Sequence, residues 1–128
     1  GAILDARDAM QCLARLVPSH DQETARYAAM AIGNLVLEQR CRVAALSNAS
    51  LVPSLVASLH SADRQTVRYA AGALRNIAVE DKGRGEVLSV KAALGTLGEL
   101  TASQDASTAR YAAACLKNLN LPRPTARD

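Results

Sequence analysis

The 128-residue chain contains no Trp and no Phe, and its only aromatic residues are three Tyr. A hydrophobic fraction of 49% must therefore pack almost entirely as Ala, Leu and Val. Such a core suits closely packed helices, and the Ala and Leu bias favours helix throughout. So few aromatics also leave little with which to stack bases, as single-stranded nucleic-acid binders do. Long apolar runs are missing, so no segment has the length to span a bilayer, and no basic stretch followed by apolar residues opens the chain. A basic amphipathic helix with bulky apolar anchors is missing too, which argues against a lipid surface as partner. The three cysteines, Cys12, Cys41 and Cys115, show neither CxxC nor Cys/His ligand spacing, and His20 and His60 stand apart from them. No metal or cofactor is expected. The cysteines are expected to be buried or half-buried free thiols, and the setting intracellular, cytoplasmic or nuclear. Net charge is +3 and the pI about 9.0, without the dense Lys/Arg run of a nucleic-acid arm. A nucleophile with a recurring base, a Gly-rich phosphate loop and a distinctive carboxylate pair are all lacking, so no enzyme is expected.

What is present is repetition. Residues 24–35 read TARYAAMAIGNL, residues 66–77 TVRYAAGALRNI and residues 108–119 TARYAAACLKNL. Tyr27, Tyr69 and Tyr111 stand 42 residues apart, as do Asn34, Asn76 and Asn118. A fixed period near 40 marks supersecondary units that bury their apolar faces against one another, so the chain is read as a stacked array. The repeats are expected at about residues 1–37, 38–79 and 80–121, followed by a short polar tail over 122–128 after Pro122.

Each repeat parses into three helices, the repeated segment forming the last and longest. On a helical wheel Val67, Ala70, Leu74 and Ile77 lie opposite Asn76, as do Ala25, Ala28, Ile32 and Leu35 in the first copy and Ala109, Ala112, Leu116 and Leu119 in the third. These are the expected buried stripes. Asp21, Asp63 and Asp105 are placed to cap the helices, and Ser19, Ser61 and Ser103 recur at the preceding turn. Leu4, Leu46 and Leu88 mark a short first helix, and Leu13, Leu55 and Leu97 a second. Nine helices are expected in total, with residues 1–7 as the later part of the first. Gly83, Gly85, Gly95 and Gly98 fall in the first two helices of the third repeat, at roughly 1 kcal/mol each relative to Ala, which makes that repeat the softest. Neither end shows a polar capping repeat, as expected of a piece of a longer array or of one that covers its ends by self-association.

The Ala-Ala-x-x-Leu-x-Asn-Leu pattern at 28–35, 70–77 and 112–119, in a three-helix unit of about 42 residues, resembles the armadillo repeat of beta-catenin and importin alpha. The resemblance covers about residues 1–121. It implies an all-α, right-handed α-solenoid whose third helices line a concave groove, with Asn34, Asn76 and Asn118 meeting the backbone of an extended peptide. An amide suits that role because it offers both a donor and an acceptor. Importin alpha places Trp four residues before this Asn to bind lysines. Met30, Gly72 and Ala114 stand there instead, so cation–π capture of a basic signal is not expected.

In place of the Trp ladder the wheel sets Tyr27, Tyr69 and Tyr111 about 20° from their Asn, with Arg26, Arg68 and Arg110 about 80° to one side. Two readings stand side by side. The Arg and Tyr can line the groove, where guanidinium forks suit carboxylates, or they can stack between adjacent third helices with the Arg paired to a neighbouring Asp or Glu. Glu38 and Glu80 either punctuate the groove or pair with such arginines. Gly33, Arg75 and Lys117 are expected at a flanking, solvated position. The function expected is a non-catalytic protein-interaction scaffold for an extended, acidic peptide. A nucleic-acid-binding helical repeat and a self-associating array fragment are the alternatives, with homo-oligomers forming through uncapped terminal repeats.

Overall fold

A computed structural model of the chain describes residues 5–120. Those residues form eight α-helices, and no β-strand occurs among them: α1 (Ala6–Leu16), α2 (Gln22–Leu35), α3 (Gln39–Leu46), α4 (Leu51–Ser58), α5 (Arg64–Ile77), α6 (Asp81–Leu88), α7 (Ala93–Leu100) and α8 (Ala106–Leu119). The first helix expected around Leu4 lies mainly outside the described residues. Ala6 and Arg7 do not belong to it: they open α1, which carries Leu13 and so holds the second-helix register, with Asp5 as its N-cap. The expected polar tail also lies outside the described residues.

The three longest regular repeats, α2, α5 and α8, start from one local device. Ser19, Ser61 and Ser103 accept a hydrogen bond through Oγ from the backbone N–H of Asp21, Asp63 and Asp105 at 3.0–3.1 Å. Each Asp carboxylate then accepts from the backbone N–H of Thr24, Thr66 or Thr108 at 2.9–3.0 Å, and from the same threonine's hydroxyl. Orphan donors of the first turn are thereby satisfied, and a negative charge sits at the positive end of the helix dipole. At the other end of α5 every late carbonyl is accounted for. Leu74, Asn76 and Ile77 accept from the backbone N–H of Ala78, Val79 and Glu80, and Arg75 accepts from the Asn118 amide at 3.0 Å.

Packing follows from the small residues. The spine is α2 against α5 against α8, with α1 packed on α2 and α3, α4 on α5, and α7 on α8. The expected stripes are buried or half-buried throughout. Central α5 goes further and also buries Ala71, Gly72 and Ala73, because it has a neighbouring long helix on each side. The helices come close at the small residues: a Cβ on Gly33 would stand 3.6 Å from the Tyr69 carbonyl oxygen and one on Gly72 3.4 Å from the Tyr111 ring, both ordinary van der Waals contacts. Leu88 ends α6 in the expected register but is 48% exposed where its counterpart Leu46 is 6% exposed. One expectation needs correction: Cys12 is exposed on α1, while Cys41 and Cys115 are buried.

Candidate functional site

Between α2, α5 and α8 lies a groove of about 250 Å³, lined by Met30, Gly33, Asn34, Leu37, Arg68, Tyr69, Gly72, Ala73, Arg75, Asn76 and Tyr111. It brings together five of the nine residues proposed for peptide binding: Asn34, Asn76, Tyr69, Tyr111 and Arg68. Arg26, Tyr27, Arg110 and Asn118 are not part of its lining.

The recurring arginines act between repeats. Arg26 donates from Nε to Asp63 at 3.0 Å and from Nη2 at 3.4 Å. Arg68 grips Asp105 the same way, at 3.0 and 2.8 Å. Each fork thus ties one third helix to the capping carboxylate of the next, a two-point geometry that a guanidinium matches and an ammonium does not. The electrostatics agree. Arg68, with the Thr108 hydroxyl and backbone N–H adding to it, holds the Asp105 carboxyl well below the usual carboxylate range. For Asp63 the Thr66 hydroxyl is the main cause of a lowered pKa, opposed by burial and reinforced by Arg26. Asp21 is lowered by Thr24. Arg26 and Arg68 are each raised, chiefly by the hydrogen bond to their Asp. Arg110, the third copy, is exposed and lies 3.4 Å from Ser107 Oγ.

Tyrosine and asparagine divide between the two roles. The Tyr111 ring lies on Gly72, and the Arg75 guanidinium stands 4.5 Å from its centroid. Such a contact contributes about 1 kcal/mol where partly desolvated. Arg75 is therefore not at the solvated flanking position expected for it: it is half-buried, its guanidinium faces the ring, and its Nε donates to Asn76 Oδ1 at 3.2 Å. Asn118 is half-buried and occupied with the Arg75 carbonyl. Asn34 is exposed, and Asn76 Nδ2 has no acceptor among the described residues.

Arg42 and Arg84 were not singled out by the sequence reading. Arg42 caps the end of α2 by donating to the Val36 and Leu37 carbonyls at 3.1 and 3.0 Å, and its Nε reaches Glu80 at 2.8 Å. Arg84 repeats the cap on Ala78 and Val79, both at 3.1 Å, and pairs with Asp81. Their 42-residue spacing was the available signal. Glu80 is thus held by an arginine outside the groove, while Glu38 sits exposed with Arg40 at 3.8 Å, a weak surface pair. Among the described residues no cluster of His, Cys, Asp and Glu is arranged to hold a metal ion, and no helix is long and apolar enough to cross a membrane.

A family model described as the Armadillo/beta-catenin-like repeat matches residues 41–79. No curated protein matches the chain. Among solved structures, three crystal structures of engineered proteins from the Northeast Structural Genomics Consortium are similar to it. One is 29% identical, with a TM-score of 0.78, over 87% of this chain and 44% of its own. A second is 28% identical, with a TM-score of 0.80, over 86% of this chain and 27% of its own. A third is 25% identical, with a TM-score of 0.74, over 91% and 46%. The chain thus spans less than half the length of each. With the repeated caps, the helical spine and the matched middle unit, the chain is an all-helical repeat solenoid whose residues 41–79 match the armadillo repeat.

Proposed function

We propose that this chain is a non-catalytic interaction scaffold that binds an extended, acidic peptide segment in the groove across α2, α5 and α8. The observation that carries the reading is the groove's lining. It combines free amide capacity at Asn34 and Asn76, two guanidiniums and two tyrosine rings, with no carboxylate among its residues. Asn34 and Asn76 meet a peptide's C=O and N–H whatever its side chains. Arg75 supplies the cation nearest the amides, already stacked on Tyr111 and so partly preorganised. Arg68 contributes a weaker field, since Asp105 neutralises most of it. Met30 and Leu37 add an apolar wall beside Asn34.

Two amide contacts of about 0.5–1.5 kcal/mol each and one charged contact of about 1 kcal/mol give about 2–4 kcal/mol, which is weak binding, on the order of millimolar from these contacts alone. Fluorescence anisotropy with matched acidic and basic peptides tests it. The acidic peptide should bind more tightly, more so at low salt, and an Asn34→Ala, Asn76→Ala variant should weaken it. A preference for the basic peptide refutes the electrostatic part. Unchanged binding by the folded double variant refutes the amide part.

A further inference from the structure

Among the described residues the same repeat joint is closed twice, and one half of it stands exposed on α8 and the other at the start of α2. In the interior, Arg26 grips Asp63 and Arg68 grips Asp105, each 37 residues ahead. At one end Arg110 continues the series, exposed. At the other, Asp21 is exposed, whereas the side chains of Asp63 and Asp105 are each 14% accessible. The surrounding residues divide the same way. Leu94 is 48% exposed where its counterpart Val52 is 1% exposed, and Ala113 is exposed where Ala71 is fully buried. Leu88, 48% exposed, completes that face. Tyr27 and Asn34 are exposed where Tyr111 and Asn118, their counterparts, are half-buried against α5.

We propose that the face carrying Leu88, Leu94, Arg110 and Ala113 docks the α1–α2 face of a second copy of this chain, head to tail. Continuing the internal register, Arg110 meets Asp21 of the second copy. Tyr27 of that copy lies on Ala114 as Tyr111 lies on Gly72, and its Asn34 donates to the Lys117 carbonyl as Asn118 donates to that of Arg75. A second copy fits for two reasons. The interior shows what this face accepts: a helix whose capping carboxylate, already bonded to a threonine three residues on, stands opposite the arginine. The α2 helix of this chain offers that group in the same local geometry as α5 and α8. Such a contact joins different faces of the two copies, so assembly extends or closes into a ring instead of stopping at a symmetric dimer.

Sedimentation velocity across a concentration series tests this without any peptide present, so its outcome is independent of the groove. The wild type should form concentration-dependent species above the 13.5 kDa monomer. Arg110→Asp and Asp21→Arg should each weaken association by roughly tenfold or more, since each sets like charges face to face. An equimolar mixture of the two should restore it, because every junction then pairs one carboxylate with one guanidinium. Asp21 caps α2, so the fold of its variant is checked by circular dichroism; Leu94→Glu breaks the same face with all caps intact and should also weaken association. A wild type that stays monomeric throughout overturns the proposal. So does association unchanged by Arg110→Asp, or a mixture of the two folded variants that fails to recover.

Discussion

Four glycines in the last repeat look equivalent in the sequence, and replacing them with alanine should have opposite effects. A Cβ added to Gly85, Gly95 or Gly98 meets nothing within 4 Å. All three sit in helices with ordinary negative φ, so alanine restores helix propensity and removes unfolded-state freedom at about 0.4–1 kcal/mol each. The triple variant should gain roughly 1–3 kcal/mol, or roughly 4–12 °C in melting temperature at about 4 °C per kcal/mol for a chain of this length. Gly83 is different. Its added Cβ would stand 1.9 Å from the Ile77 carbonyl oxygen, 2.8 Å from the carbonyl carbon and 3.0 Å from Cγ2 of the same residue. That oxygen also accepts the Glu80 N–H at 3.2 Å, so it has no rotamer to turn and no slack to yield. Overpacking of this kind costs about 3 kcal/mol against about 1 kcal/mol of propensity gained, a net loss of about 2 kcal/mol. Urea denaturation followed by far-ultraviolet circular dichroism reads both. A neutral Gly83→Ala would refute the reasoning, and would mean that α6 shifts to the stance α3 takes with Cys41 at the corresponding position. A triple variant that gains nothing would mean that α6 and α7 are not formed at those residues in solution.

The remaining expectations concern the joints and the thiols. Acid should loosen the array. The folded pKa values of Asp63 and Asp105 lie below the ordinary 3.8, so their contribution is complete above about pH 4 and is lost as pH falls through the folded values. An Asp63→Asn, Asp105→Asn variant should flatten the loss of stability below pH 4 in fixed urea, and an unchanged slope counts against the Arg–Asp joints. Asn118→Ala should cost about 0.5–1.5 kcal/mol by stranding the Arg75 carbonyl and leave acidic-peptide affinity unchanged. Asn34→Ala should do the reverse, and equal stability losses in the two would remove the distinction. With a thiol reagent only Cys12 should react in the native chain, because Cys41 is buried and burial pushes the Cys115 thiol up to about 12. A second fast-reacting thiol contradicts the packing of α3 or α8.

Much of the fold was legible because it is written in short-range signals said three times. The Ser-x-Asp-x-x-Thr start is local, so Asp21, Asp63 and Asp105 could be read as caps without knowing any neighbour. The buried stripes follow from the 3.6-residue period and survive intact. What a wheel cannot supply is which face meets the next helix, and at what distance. Arg75 projects to the flank of its own helix, yet Tyr111, 36 residues on, brings an aromatic ring beneath it. Leu88 has the same register as Leu46 and differs in exposure only because of what stands beside it. The Arg–Asp joint was half legible: its residues recur visibly, but the 37-residue offset that pairs them comes from the stack. Arg42 and Arg84 carry the same 42-residue signal, but their partners are backbone carbonyls at the end of the preceding helix, which residue type alone does not reveal.

That division bears on where recognition resides. Residues identical in all three copies do work that every joint needs: Thr completes the cap, Arg grips the next Asp, and the paired Ala let α2, α5 and α8 approach. Tyr111 and Asn118 show how far the same demand reaches, one laid on Gly72 and the other bonded to the Arg75 carbonyl. Repetition is therefore evidence first for the stack. The groove, by contrast, is faced by positions that change between copies. Met30, Gly72 and Ala114 occupy one register, and Gly33, Arg75 and Lys117 another. The Tyr111 ring lies against Gly72 with the Arg75 guanidinium over it, a cationic shelf, whereas Met30, at the place corresponding to Gly72, lines the groove with Asn34. A peptide lying along the groove would thus meet the same amides at each step but a different side-chain surface. On this reasoning Met30 and Arg75 are where exchange between repeats should redirect binding while leaving the fold in place.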